Sequence, residues 1–342
     1  LTLKRLALGL LKIGASLAIV AYLVVQAKND RAFAELAQQP KDWARLGLAF
    51  AALMTGVLMT HIRWCYLVRG LGLPFRMRDA FRLGFVGFLF NLAPAGVVGG
   101  DLLKGVMLVR QLDGHKAKAS ASVVVDRIIG LYVLFIVASV ALLVTGFYHR
   151  NHQVYVISMA CLAITVIGGV GLGVLFAPGR LGVQIATLVG RVPQIGPPLE
   201  RLLIELRMYQ HCLPMIGVTT LMSVVVHVLN TLCVYLVACG LYDRVVPFST
   251  QLVLVPLALS SSVIPLPLGP FEVILEYLYV QSGMPLHQGL IVALAYRMVT
   301  VLIAVVGMGY YLASRHQIAR LGEPDAEALD AFGVAAENSR AA

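Results

Sequence analysis

Charge is scarce in this chain. Only 13% of its 342 residues are Asp, Glu, Lys or Arg, while 59% are hydrophobic and the mean hydropathy is +0.85. Soluble domains carry about twice that share of charge, so an ordinary water-soluble fold is excluded and a membrane protein is implied. Cysteine is also sparse: the five residues Cys65, Cys161, Cys212, Cys233 and Cys239 are odd in number and scattered through mostly apolar runs. That pattern gives neither a disulfide framework nor metal-ligand spacing. No G-x-S-x-G, P-loop, H-E-x-x-H or dinucleotide fingerprint occurs in a fitting context, so no catalytic residue, metal or cofactor is assigned. The glycines from Gly168 to Gly173 lie inside an apolar run, where they serve close helix packing. A formal charge of +10 does not point to nucleic acid here, because a polytopic protein keeps Lys and Arg in its cytoplasmic loops.

What is present is long apolar segments. Residues 6–25, 46–67, 119–145, 154–176, 213–239 and 289–313 each supply the roughly 20 residues that a hydrocarbon layer of about 30 Å requires. The expected fold is therefore all-α and polytopic, with six full transmembrane helices. Two further segments, 80–112 and 251–280, are cut in the middle by Pro and Gly. The pieces of the first, 80–92 and 101–112, would each reach only about 20 Å as helices, so neither spans alone. Full crossing of both segments would carry Arg110, Lys116, Lys118 and the arginines of 180–207 to the outside, against the positive-inside rule. Both are read as re-entrant hairpins, the first entering from the cytoplasm and the second from the opposite face, with both termini cytoplasmic.

The organisation that follows is an N-terminal anchor helix and periplasmic loop (1–45), a first repeat of span, hairpin and span (46–147), a linking span with a cytoplasmic connector (148–212), a second, inverted repeat (213–313) and an acidic, Ala-rich tail (314–342) read as disordered. Lys4-Arg5 ahead of an apolar core also describes a signal peptide, but Val25-Gln26-Ala27 is a poor cleavage site and favours a retained signal anchor. Within the connector, residues 198–210 suit either a helix lying on the leaflet or a solvated link.

The two broken segments repeat one device at a spacing of 170 to 171 positions. Pro94 to Asp101 recurs as Pro265 to Glu272, Gly70-Leu71 as Gly240-Leu241, and Arg127 as Arg297. Each copy holds a breaker-rich kink, then an acid, then an arginine in the next apolar run. Broken backbone at membrane depth survives only when buried in protein or lining a wet cavity. Gly96, Gly99 and Gly100 are expected to turn the chain and present bare N–H groups, with helices starting near Asp101 and Phe271 adding their positive ends.

Charged side chains inside these runs, Asp101, Lys104, Asp126, Arg127, Glu272, Glu276 and Arg297, would each cost about 2.5 to 3.5 kcal/mol at mid-bilayer and so imply pairing or a cavity. Arg127 and Arg297 are read as a bidentate clamp on an anionic head group, held by Asp101 and Glu272 when empty. Permanent structural pairing is the competing reading. Asp126 is either a helix neighbour of Lys104 or a second acid of the site. Arg63, whose equivalent is Cys233, either attracts a head group or snorkels to the interface. Asn91 and Ser260 to Ser262 either bond a ligand or cap kinked backbone. His227 is read as a satisfied core histidine.

The run Phe85 to Asp101, with Asn91, Pro94, Gly96, Gly99 and Gly100 in it, and the stretch Ser120 to Arg127 closing on Asp126-Arg127, resemble the lysylphosphatidylglycerol synthase transmembrane family. That is the flippase-like domain found at the N-terminal end of the multiple peptide resistance factor and as stand-alone inner-membrane proteins. The likeness covers about residues 6–313. It implies eight hydrophobic segments including re-entrant helices, and movement of a lipid between leaflets. Two departures stand out: Ala93-Pro94-Ala95-Gly96 replaces the family's frequent Leu-Pro-Gly-Gly, and only about 29 residues follow Ala313, too few for an aminoacyl-transferase domain. Lysine transfer is therefore not expected of this chain.

The function expected is translocation of an anionic, phosphate-bearing lipid or polyprenyl-linked intermediate in the bacterial inner membrane. The alternatives are an intramembrane enzyme acting on such a lipid and a membrane partner of a soluble lipid-modifying enzyme. The partners named are thus membrane lipid, a second copy of the chain or a soluble cytoplasmic enzyme, and not nucleic acid.

Overall fold

The computed structural model describes residues 14, 18–30, 32–91, 96–111, 116–176, 181–192, 196–263, 266 and 268–319. Among the described residues the structure is all-helical, with no strand. After α1 (18–29) come α2 (Ala32–Gln38), α3 (Trp43–Gly70), α4 (Met77–Asn91), α5 (Gly96–Gln111), α6 (Lys116–Thr145) and α7 (His152–Phe176). Then follow α8 (Leu181–Gly190), α9 (Gly196–Arg207), α10 (Leu213–Leu241), α11 (Phe248–Ser260), α12 (Pro270–Gln281) and α13 (Gln288–Ala319).

Five of these, α3, α6, α7, α10 and α13, are long and apolar enough to cross a membrane. The sequence predicts six spans. The first predicted span, 6–25, lies largely outside the described residues, and α1 is its described end. Of the tail read as disordered, residues 314–319 are instead the last turns of α13, and 320–342 lie outside the described residues. The connector 177–211 contains two short helices, α8 and α9, rather than one.

Helix ends follow local chemistry. Asp42 caps α3 by accepting the Arg45 N–H at 3.0 Å. Proline stands in the first turn of α10 and α12, where its missing N–H costs nothing. Lipid offers no hydrophobic force between helices, so packing relies on small residues and close contact. Along α3, Ala49, Ala52 and Gly56 line a buried ridge, and Gly56 faces Leu229 of α10.

Hydrogen bonds gather the loops onto two faces. On the first face, the Asp42 N–H donates to Gly240 O (3.0 Å), Arg45 to Cys239 O (2.9 Å), Asn151 to Gln281 Oε1 (2.5 Å) and Gln288 to Arg244 O (2.8 Å). On the second, Tyr209 donates to Leu67 O (3.0 Å) and Lys118 to Leu71 O (3.1 Å). The chain therefore leaves α3 at Leu71, passes through α4 and α5, and is back beside Leu71 at Lys118. It leaves α10 at Leu241, passes through α11 and α12, and is back beside Arg244 at Gln288. Lys118 and Gln288 are 170 positions apart, the spacing of the sequence repeat. Neighbour relations match under the same exchange: α3 packs on α10, α4 on α13, and α11 on α6.

Candidate functional site

Each half closes one acid on one arginine. In the first, Asp101 of α5 is paired with Arg127 of α6. In the second, Arg297 of α13 donates from Nε (3.1 Å) and a terminal nitrogen (2.9 Å) to Glu272 Oε1 of α12. Glu272 is fully buried, and its Oε2 accepts the Gly269 N–H at 2.8 Å. One carboxylate thus pins the arginine and caps its own helix. Gly269 sits at φ +105°, a backbone that side-chain-bearing residues avoid, and this lets the kink turn directly into α12.

A cavity of about 140 Å³ is lined by Asn91 at the end of α4, by Ser261, Ser262 and Arg297, and by a larger apolar wall that includes Leu259 and Phe271. That is well above the ~15 Å³ needed for one water and below the ~300 Å³ of a full ligand pocket. Ser260 and Ser261 donate back to Leu257 O (2.7 Å) and Ala258 O (2.6 Å). Their hydroxyl protons therefore serve the kinked backbone.

The first kink differs from expectation. α5 begins at Gly96 rather than near Asp101, so Gly99 and Gly100 are helical and Asp101 lies in the second turn. A Cβ at Gly100 would overlap Asn91 Oδ1 and the Gly87 carbonyl. Gly100 therefore serves the close crossing of α4 and α5, which no local pattern reveals.

Behind Asp101 lies a second polar cluster. Arg63 of α3, expected either to attract a head group or to snorkel to an interface, is instead only 4% exposed. Its Nε donates to Asp126 Oδ1 (2.9 Å), one terminal nitrogen to Ser223 Oγ of α10 (2.7 Å) and the other to Asp126 O (3.2 Å). Lys104 Nζ stands 3.6 Å from Asp126 Oδ2 and 3.9 Å from the centre of the Trp64 ring. Asp126 is therefore the partner of Lys104 and Arg63, while Arg127 pairs with Asp101. Nearby, His227 of α10 bonds Gly130 O at 2.8 Å. Sequence reasoning missed Arg63 with Asp126, which are 63 positions apart and meet only through helix packing.

Glu276 belongs to neither pair. Its oxygens accept the N–H groups of His287 (2.5 Å) and Leu290 (2.7 Å), so it caps α13. No group of metal-ligating side chains occurs among the described residues.

Long apolar helices that carry paired charges within their apolar runs define an integral membrane protein. The chain belongs to the family described as the lysylphosphatidylglycerol synthase TM region, whose model matches residues 9–307. This places it among membrane proteins of lipid metabolism or transport. No curated protein and no solved structure matches it.

Proposed function

We propose that this protein translocates an anionic, phosphate-bearing lipid between leaflets through a site at the bilayer midplane. In this reading α4–α5 and α11–α12 are re-entrant hairpins dipping from opposite faces, and residues 46–147 and 213–313 are inverted repeats. α1 completes a sixth span. The second face is cytoplasmic, because Arg69, Arg76, Arg78, Arg82 and Lys118 gather there.

The observation that carries the reading is an equivalent acid–arginine pair in each half, with Arg297 of the second pair opening on a cavity that Asn91, from the end of α4, also lines. A planar guanidinium matches two phosphate oxygens, so Arg127 and Arg297 exchange carboxylate for phosphate at little cost in geometry. The cavity admits a head group and leaves acyl chains in the lipid. Exchange of the carboxylate for a phosphate keeps each guanidinium paired with an anion, which a neutral head group does not offer.

The test is reconstitution into phosphatidylcholine vesicles containing tail-labelled fluorescent phosphatidylglycerol, with dithionite quenching from outside. The expected result is probe movement in the intact protein and at least a tenfold slower rate in Arg127→Ala and Arg297→Ala. Chemical conversion of the probe by the protein alone would replace this reading with an enzymatic one. Inertness of the probe together with co-purification of a soluble enzyme would replace it with a docking role.

A further inference from the structure

The two acid–arginine pairs have unequal surroundings. One helical turn beyond Asp101 on α5 stands Lys104, and its ammonium shares Asp126 with Arg63. The equivalent positions in the second half are Leu275, Tyr296 and Cys233, all buried and all uncharged. Arg297 is the sole Lys or Arg between residues 245 and 314.

This changes the charge balance when a phosphate arrives. If Arg127 turns to the phosphate, Asp101 keeps a cation one turn away on its own helix. If Arg297 turns, Glu272 keeps none among the described residues. α11 carries no charged residue, and its Gln251 is bonded to Tyr279. On α13, Tyr296 is the titratable neighbour of Arg297. α1 reaches the tip through Ile19. Glu276, one turn along α12, is held by two backbone N–H groups, and His287 beyond it pairs with Asp30 at 2.7 Å on the first face. Asn91, the lining residue contributed by the first hairpin, is uncharged. A fully buried carboxylate stripped of its only cation is strongly unfavourable.

We infer that Glu272 is the proton-accepting residue of the transport cycle, an assignment that rests on the translocase reading. Its Oε2 stays the acceptor of the Gly269 N–H, while Oε1, vacated by Arg297, takes one proton from water in the cavity. When the phosphate leaves, Arg297 returns to Oε1 and the proton goes back to water. Asp101, compensated by Lys104, stays ionised throughout. One proton thus accompanies each lipid, and the second half alone carries it.

The experiment is calorimetric titration of the purified full chain in detergent with dihexanoyl-phosphatidylglycerol, in buffers of different ionisation enthalpy. This reads proton uptake on binding without requiring transport. The expected uptake is about one proton per ligand in the intact protein and none in Glu272→Gln. Because Glu272→Gln also alters a helix cap, Lys104→Leu provides a second readout. It removes the cation one turn from Asp101 and raises uptake to about two protons. Absence of uptake in the intact protein, or its survival in Glu272→Gln, overturns the inference. Uptake that depends on Glu272, in a protein that moves no fluorescent lipid in vesicles, upholds the proton assignment and removes the translocase reading.

Discussion

Arg63 shows what a single charged side chain demands inside a membrane protein. Its donors are answered by Asp126 and Ser223, on helices α6 and α10, so removing one acceptor leaves a buried cation exposed to apolar surroundings. Asp126→Ala is expected to lower stability by about 3 to 5 kcal/mol, read as thermal unfolding of the detergent-solubilised protein. The second half already exhibits an uncharged solution at the same positions. The triple change Arg63→Cys, Lys104→Leu and Asp126→Tyr is therefore expected to cost less than Asp126→Ala alone, since whole buried charge clusters are often replaced at little loss. A triple variant less stable than the single one would show that the cluster itself favours folding. At this scale the sequence is informative where charge interrupts an apolar run: Asp101, Arg127, Glu272 and Arg297 are conspicuous for that reason. It is silent on partners, because Arg63 finds Asp126 through the crossing of α3 and α6 and not through any spacing along one helix.

Helices are shaped here by how closely they cross. Gly289 lets the first turn of α13 ride against Glu276 and Leu275, where a Cβ would sit 2.8 Å from the Glu276 Cα. This brings the Glu276 carboxylate onto two N–H groups at the start of α13 that have no partner within the helix. Glu276→Ala is expected to cost about 1 to 2 kcal/mol and to accelerate amide hydrogen exchange at His287 and Leu290, with the Asp101 and Glu272 pairs intact. Exchange that is unchanged at those two amides would remove the capping role. The long apolar helices are legible from hydropathy alone. The start of α5 is not, because glycine is read as a breaker until a neighbour such as Asn91 or Gly87 is seen to require its missing side chain.

At the scale of the whole molecule, the exchange of α4 with α11 and of α6 with α13 leaves the pattern of helix neighbours unchanged. The sequence carries this in a spacing of 170 to 171 positions, though not the return of each chain segment to its starting loop, which rests on Lys118 and Gln288. In a background with the native cysteines changed to alanine, Pro74→Cys and Asp243→Cys are expected to label from opposite sides of the membrane with an impermeant maleimide. Labelling from one side would end the two-face arrangement. The cavity and its polar lining, by contrast, exist only once Asn91 and Arg297 meet in space. α1 adds a last asymmetry. It touches Gly269 at the second kink through Ile19 and ends where Asp30 meets His287 at the base of the same hairpin. Among the described residues it is a splint laid along the second elbow, so a rigid fusion that holds α1 should stiffen that elbow.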